Sequence, residues 1–224
     1  MNRFTDIKSF RSYFIEEISL TLNKVGYKYI KTKETFVANI DDHIFQIKVY
    51  MYKRSTFVEI ETKVYYGNKK IETDLKKIGI KVCDDSIVGG ETDFICEYYF
   101  KQKYLERYSS LIYELNDTSD NIIHKWLYYY ENYLKVFLKE MSDPITLNKI
   151  VNQGDIEVVG LNSSYESRVL KFYFVGKNAG LNDDELNKLF ILYENNLLVN
   201  NSRFLSKFLE LKSFISSKID GAKL

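Results

Sequence analysis

This chain of 224 residues is poor in the residue types that build disulfide frameworks and most metal sites. It has two cysteines, Cys83 and Cys96, and two histidines, His43 and His124. Two thiols exclude a disulfide framework and a Cys-x-x-Cys metal pair, so we expect both to be reduced and buried. The histidines have neither metal-ligand spacing nor a Cys, Ser or carboxylate partner at a defined spacing. We therefore expect no metal ion and no cofactor.

Long apolar runs and an excess of charge are also missing. No segment reaches the 18 consecutive apolar residues of a membrane-spanning helix, and the N-terminal segment lacks the apolar core of a signal peptide. Lys and Arg total 32 against 31 Asp and Glu, a net charge of +1. Whole-molecule electrostatics therefore offer no attraction to nucleic acid or to anionic membranes. We expect a cytoplasmic protein with no membrane partner, and a nucleic-acid partner is disfavoured.

The first quarter of the chain changes abruptly from helical periodicity to strand alternation. Apolar residues recur at helical spacing from Ile7 to Val25, and Gly26 ends the pattern. Alternating apolar and polar residues then predict three strands at 29–40, 44–53 and 57–66. Tight turns are expected at Asp41-Asp42 and Arg54-Ser55, and Gly67-Asn68 is expected to close the meander. The helix should cover one face of this sheet and leave the other face wet.

Weaker signals follow in the middle of the chain. Alternation predicts two more strands, at 78–82 and 94–100, with Gly89-Gly90 as the loop between them. Helical spacing predicts helices at 101–115, 118–141, 144–153, 164–178, 183–196 and 202–219. Two of them are expected to begin with capping boxes, Ser163-x-x-Glu166 and Asn182-x-x-Glu185.

The order of these elements defines the expected architecture. It is an α+β fold with an N-terminal helix packed on an antiparallel four- or five-stranded meander sheet, followed by a C-terminal helical layer. We place the helix and sheet in residues 1–115 and the helical region in 116–224. No linker rich in Pro, Gly or Ser separates them, so we expect one compact unit.

Two segments carry a resemblance to a known family. The first helix ends in the segment Leu22–Lys28, which contains Gly-Tyr-Lys, and the long helix ends in the acidic-apolar segment Phe137–Pro144. On these motifs, residues 1–150 resemble the bacterial family catalogued as domain of unknown function 4304. The resemblance implies a helix, a strand meander and a helix that opens on a Trp. Because some members are regarded as immunity-type proteins, it also implies a protein partner such as a toxin.

One motif indicates an enzymatic alternative. Ile60-Glu61-Thr62-Lys63 fits half of the PD-(D/E)xK nuclease motif, and Asp42 lies upstream at a suitable distance. In that chemistry Asp42 and Glu61 would hold a divalent metal, while Lys63 would orient the attacking water. Strand alternation alone also places Glu61 and Lys63 on one face, where they can pair with charges on neighbouring strands. We therefore favour a non-enzyme and keep a metal-dependent nuclease as the alternative.

The wet face of the meander is the candidate binding surface, because aromatic side chains there alternate with mixed charges. Its proposed contact residues are Lys48, Tyr50, Tyr52, Phe57, Glu59, Lys63 and Tyr65, joined by Gln46 and Glu61. A protein partner would use the aromatic area, whereas single-stranded RNA would stack on it with lysines on its phosphates. The face is alternatively an ordinary solvated sheet surface, or it is covered by later elements. We favour a protein-binding, immunity-like module, and the sequence leaves the oligomeric state open.

Overall fold

The structure, a computed structural model, describes residues 4–80, 86–104, 111–114, 118–153, 165–200 and 202–221. The predicted first helix is confirmed as α1 (Ile7–Leu22). Asp6 is its N-cap, because the carboxylate accepts a hydrogen bond of 2.9 Å from the backbone N–H of Ser9. A short 3₁₀ turn follows, and Gly26 ends the helix with a φ of 91°, in the left-handed region that favours glycine.

Within the described residues, one antiparallel sheet of six strands follows α1. The strands are β1 (Lys28–Ile30), β2 (Thr35–Ile40), β3 (His43–Lys53), β4 (Phe57–Asn68), β5 (Val88–Glu91) and β6 (Leu111–Glu114). They lie in the order β1-β2-β3-β4-β5, and β6 also pairs with β4. The two-residue turn at Asp41-Asp42 is confirmed, with Ile40 opposite His43. The structure thus confirms the α+β class with an N-terminal helix, an antiparallel sheet and C-terminal helices.

The single strand predicted over residues 29–40 is wrong, because two strands occupy this segment. A 3₁₀ turn at Lys31–Lys33 separates β1 from β2, and Glu34 completes the reversal with a φ of 49°. The reversal places Tyr29 opposite Phe36, with their ring centroids 4.7 Å apart. Ile40 is on the same side of β2 as the buried Phe36 and Ala38, but it is 48% exposed because it lies beside the turn.

The strand predicted over residues 78–82 is also wrong in its described part, and Gly67-Asn68 is not a closing turn. Asn68 ends β4 and caps helix α2 (Lys69–Lys77), since its side-chain oxygen accepts hydrogen bonds from the next turn. Ile71 and Leu75, four residues apart, supply the buried side of this helix. Residues 81 and 82 lie outside the described part.

The predicted loop at Gly89-Gly90 is a strand, and the predicted strand at 94–100 is helical. A Cβ atom on Gly89 would lie 2.2 Å from the Val64 carbonyl oxygen, so only glycine allows β5 to approach β4. The chain then forms α3 (Thr92–Phe94) and a π-helical turn (Ile95–Tyr99). Ile95 and Cys96, which are adjacent in the chain, are both buried on this helical turn.

The helix predicted over residues 101–115 is wrong at its described C-terminal end. Residues 111–114 form β6, in which Leu111 and Tyr113 are buried while Ile112 is half-buried. β6 pairs with the start of β4, with Glu59 opposite Ile112. Apolar residues around Tyr104 and Leu111 are spaced three and four apart, as they are in a helix. The strand that pairs with β6 lies about fifty residues earlier in the chain, so no local pattern indicates it.

The helices predicted in the second half are confirmed, with small shifts at their ends. Asp143 caps α6 ahead of Pro144, and Asn182 and Glu185 form a capping box at α8. The predicted capping box that begins at Ser163 lies outside the described residues. The helices are α4 (Ser119–Tyr129), α5 (Lys135–Met141), α6 (Pro144–Asn148), α7 (Tyr165–Asn178), α8 (Asp183–Val199) and α9 (Leu205–Gly221), with π-helical turns at Tyr130–Leu134 and Lys149–Gln153.

The chain divides into two compact units. The first contains Met1–Tyr66 and Gly89–Glu140, and the second contains Gly67–Val88 and Met141–Leu224. This division differs from the predicted boundary after residue 115, because α4 packs with α1 in the first unit. That the predicted regions form one compact unit stays a prediction.

A buried ion pair explains why the segment after β4 belongs with the C-terminal helices. Lys171 on α7 is fully buried, and its Nζ lies 2.5 Å from an oxygen of Glu72 on α2. The same ammonium donates a hydrogen bond of 2.9 Å to the carbonyl oxygen of Ser86. A buried charge needs such partners. Through Glu72 and Ser86, Lys171 therefore holds both ends of the segment 67–88 in the second unit.

The core of the first unit lies between the sheet and the helices α1 and α4. Phe10 of α1 stacks on Tyr113 of β6 with ring centroids 4.0 Å apart, and Phe14 meets Trp126 edge to face at 6.2 Å. The Trp126 indole N–H donates a hydrogen bond of 3.0 Å to the hydroxyl of Thr62 on β4. These contacts hold one face of the sheet against the helices.

Replacing Gly89 with Ala is expected to lower the free energy of unfolding by about 3 kcal/mol, because the new methyl group would overlap backbone atoms of Val64 and Tyr65. Gly176→Ala is the matched control. There the nearest atoms, at 3.0 Å, are the mobile side-chain ends of Leu181 and Leu186. Alanine also favours a helix by about 1 kcal/mol over glycine, so this change should be nearly neutral. Urea unfolding checks both, and equal losses would contradict the assigned approach of β5 to β4.

Candidate functional site

The outer face of the sheet is the side of β3 and β4 that points away from α1. Its side chains alternate along each strand with buried residues that contact the helices. The outer face comprises Gln46, Lys48, Tyr50, Tyr52, Phe57, Glu59, Glu61, Lys63 and Tyr65. Tyr52 is 41% exposed and the other eight are half-buried. The structure therefore brings together all the residues proposed as a binding surface, and it leaves them accessible.

The aromatic side chains of the outer face are held by neighbours. The rings of Tyr50 and Tyr52 are stacked, with centroids 6.4 Å apart and planes at 19°. The guanidinium of Arg54 lies 5.8 Å from the Tyr52 ring, and the Lys48 ammonium lies 4.6 Å from the Tyr65 ring. Both distances suit cation–π attraction. The rings therefore have fixed positions on a rigid sheet, which lowers the entropy lost on binding.

Two ionic groups complete the outer face. Arg54 donates a hydrogen bond of 2.8 Å from Nε to Glu59, at the end of the face that lies beside the β3–β4 turn. Lys63 lies between two carboxylates, with its Nζ 2.7 Å from Glu61 and 2.7 Å from Glu91 of β5. Arg54 and Lys63 are thus paired with carboxylates, whereas Lys48 contacts the Tyr65 ring.

The environment of Lys63 stabilises its charged form. Partial burial lowers the pKa of Lys63, but hydrogen bonds and charges from Glu61 and Glu91 outweigh it, so the pKa is raised above the ordinary value of 10.5. Partial burial and then the Glu61 carboxylate raise the pKa of Tyr52 above 10.0. At neutral pH the face therefore presents a fixed ammonium and a neutral phenol that can donate a hydrogen bond.

The nuclease alternative requires Asp42 and Glu61 to converge on one metal, and the structure does not bring them together. Asp42 lies in the β2–β3 turn, whereas the β3–β4 turn is at the other end of the eleven-residue strand β3. Glu61 is four residues into β4, so Asp42 is about 25 Å from it along the strands. In the described part of the chain, no group of three His, Cys, Asp or Glu could hold a metal ion.

The described cysteine and the two histidines lie apart from the outer face's contacts. Cys96 is buried, and this burial, followed by the charges of Asp93 and Glu97, raises the pKa of its thiol to about 12. It therefore stays protonated at neutral pH and is a poor nucleophile. His43 Nδ1 lies 2.8 Å from the Tyr66 hydroxyl, and His124 is exposed. Cys83 lies outside the described residues.

Arg54 and Glu91 belong to the site, although no pattern in the sequence marks them as site residues. Arg54 lies in a predicted turn, and a charged residue at a hairpin turn gives no local signal of contact with the outer face. Glu91 follows two glycines that were predicted to form a loop. Its contact with Lys63 depends on the pairing of β5 with β4, which no local pattern predicts.

Comparison of the chain with protein-family models, curated proteins and solved structures found no match. The resemblance to domain of unknown function 4304 therefore stays a prediction. In the described segments, every helix is too short or too polar to cross a lipid bilayer.

Replacing Lys63 with Met should lower the free energy of unfolding by about 1 kcal/mol near neutral pH, because Glu61 and Glu91 lose their shared cation. The folded pKa lies above the ordinary value of 10.5, so the lysine's contribution is complete below that pH and is lost as the pH rises through the folded value. Urea unfolding should therefore show a smaller gap between wild type and variant at about pH 11.5 than at about pH 8.

The control for this titration is Lys63→Arg, which keeps its charge throughout this pH range. Its stability relative to Lys63→Met should not fall between the two pH values. A gap between wild type and Lys63→Met that is equal at both would contradict the ionic role of Lys63.

Proposed function

We propose that this protein is a non-enzymatic binding module whose outer face contacts a protein partner. The carrying observation is that Tyr50, Tyr52 and Tyr65 are accessible yet fixed by stacking and cation–π contacts. Rigid tyrosines bring a large contact area at low entropic cost, and Tyr and Arg are the residues that most often dominate protein interfaces. We place this activity in the bacterial cytoplasm, with a partner of the toxin kind implied by the family resemblance.

Tyr52 and Arg54 are the centre of the proposed contact. Tyr52 is the most exposed large hydrophobic side chain of the outer face, at 41%. Arg54 is 53% exposed and lies over the Tyr52 ring, while its Glu59 partner is only 14% exposed. A partner therefore meets an aromatic ring and an oriented guanidinium side by side, a combination that suits a carboxylate next to an apolar group.

The pairing of charges favours a protein over single-stranded RNA on this face. RNA binding needs cations that are available to phosphates as well as aromatic platforms. Here Lys63 is shared by Glu61 and Glu91, and Arg54 is engaged with Glu59. The carboxylates would repel a phosphate backbone, whereas a protein surface of mixed charge can complement both signs.

An affinity experiment with the full chain as bait in its native host's lysate tests the proposal. Wild type should retain a specific protein, and Tyr52→Ala should weaken its retention about thirtyfold, the cost of losing one dominant interface residue. Tyr128→Ala is the matched control, because Tyr128 is an exposed tyrosine (54%) on helix α4 rather than on the sheet. It should retain the protein as wild type does.

Three outcomes would overturn the proposal. Recovery of nucleic acid alone would favour RNA binding. Recovery of no protein would contradict the proposed protein partner. Equal losses in Tyr52→Ala and Tyr128→Ala would mean that the partner does not use the outer face. Circular dichroism of both variants establishes that they are folded.

A further inference from the structure

Helix α8 of the second unit carries four large aliphatic side chains on its solvent side. Ile191 is 57% exposed, Leu192 43%, Leu198 55% and Val199 84%. Asn195, also exposed, lies between the two pairs on the same side of the helix. Single exposed apolar residues are ordinary, but an apolar stripe over two helical turns indicates an interaction surface.

The helix cannot rotate to bury this stripe, because its opposite side is already fixed in the core. Leu186, Phe190, Tyr193 and Leu197 are the buried residues of α8. The Tyr193 hydroxyl donates a hydrogen bond of 3.0 Å to the carbonyl oxygen of Val151, and its ring lies 4.4 Å from Phe172. Among the described residues nothing covers the stripe, so it is available to another molecule.

The spacing of the stripe is symmetric about Asn195. Leu192 and Leu198 lie three residues before and after it, and Ile191 and Val199 lie four residues before and after it. Two α8 helices could pack antiparallel around a two-fold axis at Asn195. The aliphatic pair before Asn195 in one copy would then contact the aliphatic pair after Asn195 in the other copy. An isologous interface requires such self-complementarity. We propose that the outer side of α8 is the interface of a homodimer with this two-fold axis.

Asn195 suits the position on the axis. A side-chain amide has both a donor and an acceptor, so two asparagines related by a two-fold axis can hydrogen-bond to each other. An asparagine within an apolar helical seam also selects one register, since a shifted register would bury the amide without a partner. In this arrangement Asn195 gives specificity and the aliphatic residues give affinity.

Charges at the two ends of α8 favour the antiparallel orientation. The first turn contains Asp183, Asp184 and Glu185, and only Glu185 is used by the capping box. The exposed cation Arg203 lies just beyond the other end of the helix. An antiparallel pair brings the acidic turn of each copy toward Arg203 of its partner copy, and it also aligns the two helix dipoles favourably.

The size of the stripe predicts a weak dimer. Stable interfaces bury about 800 Å² on each partner, which is more than two turns of one helix provide. We therefore expect a dissociation constant on the order of 10 to 100 μM, so that dimers form in concentrated solution.

Sedimentation equilibrium of the full chain over a concentration series tests the interface. Leu198→Glu should raise the dissociation constant at least tenfold, because it places a carboxylate in the apolar seam. Leu20→Glu is the matched control, since Leu20 is similarly exposed (58%) but lies on α1. It should dimerise as wild type does. A wild-type chain that is monomeric up to about 1 mM, or equal weakening in both variants, would overturn the proposal.

Disulfide cross-linking tests the two-fold axis. In a Cys83→Ser, Cys96→Ser background, Asn195→Cys should form a cross-linked dimer on oxidation with copper phenanthroline. Lys188→Cys should not, because seven residues from the axis its two copies are about 20 Å apart. Cross-linking at both positions would indicate parallel helices, and cross-linking at neither would indicate another interface. Either result contradicts the proposed axis.

Discussion

The hydrogen bond between Trp126 and Thr62 is the contact on which the proposed function of the sheet depends. It joins α4 to the middle of β4, and it satisfies the only indole N–H of the chain inside the core. Leaving that group unpaired would cost about 1–3 kcal/mol. Phe14 of α1 packs against Trp126, so this bond and the packing together hold one face of the sheet against the helices. Strand alternation then directs every second residue of β3 and β4 away from them.

The outer face is the opposite side of the sheet, which these helices do not cover. Its tyrosine rings lie against one another or against cations, and Arg54 and Lys63 are paired with carboxylates, so these side chains are held in place without being buried. Glu61 and Lys63 match half of a nuclease motif, and this ion pairing gives both residues a structural role. The α8 stripe is a different kind of surface, because it is aliphatic, symmetric about Asn195 and suited to a second copy of the chain.

Local patterns predicted the parts of this structure that depend on neighbours in the chain. Gly26, the Asp41-Asp42 turn and the Asn182 capping box all stabilise the residues beside them, and alternation placed the aromatic residues of the outer face. The errors that affect the candidate site concern strands β5 and β6, whose partner β4 lies far away in the sequence. Gly89 alone predicts a loop, because the sequence does not show that Val64 and Tyr65 of β4 lie against it. For the same reason, no local pattern identifies Glu91 as a site residue.

Site-specific photo-cross-linking tests the central claim most directly, namely that the outer face contacts a protein. Benzoylphenylalanine at position 52 replaces an exposed aromatic ring with a photoreactive ring of similar character. Irradiation in cells of the native host should attach one discrete protein at position 52 and not at position 128 on α4. Cross-links to nucleic acid, no adduct at position 52, or the same adducts at both positions would contradict the account.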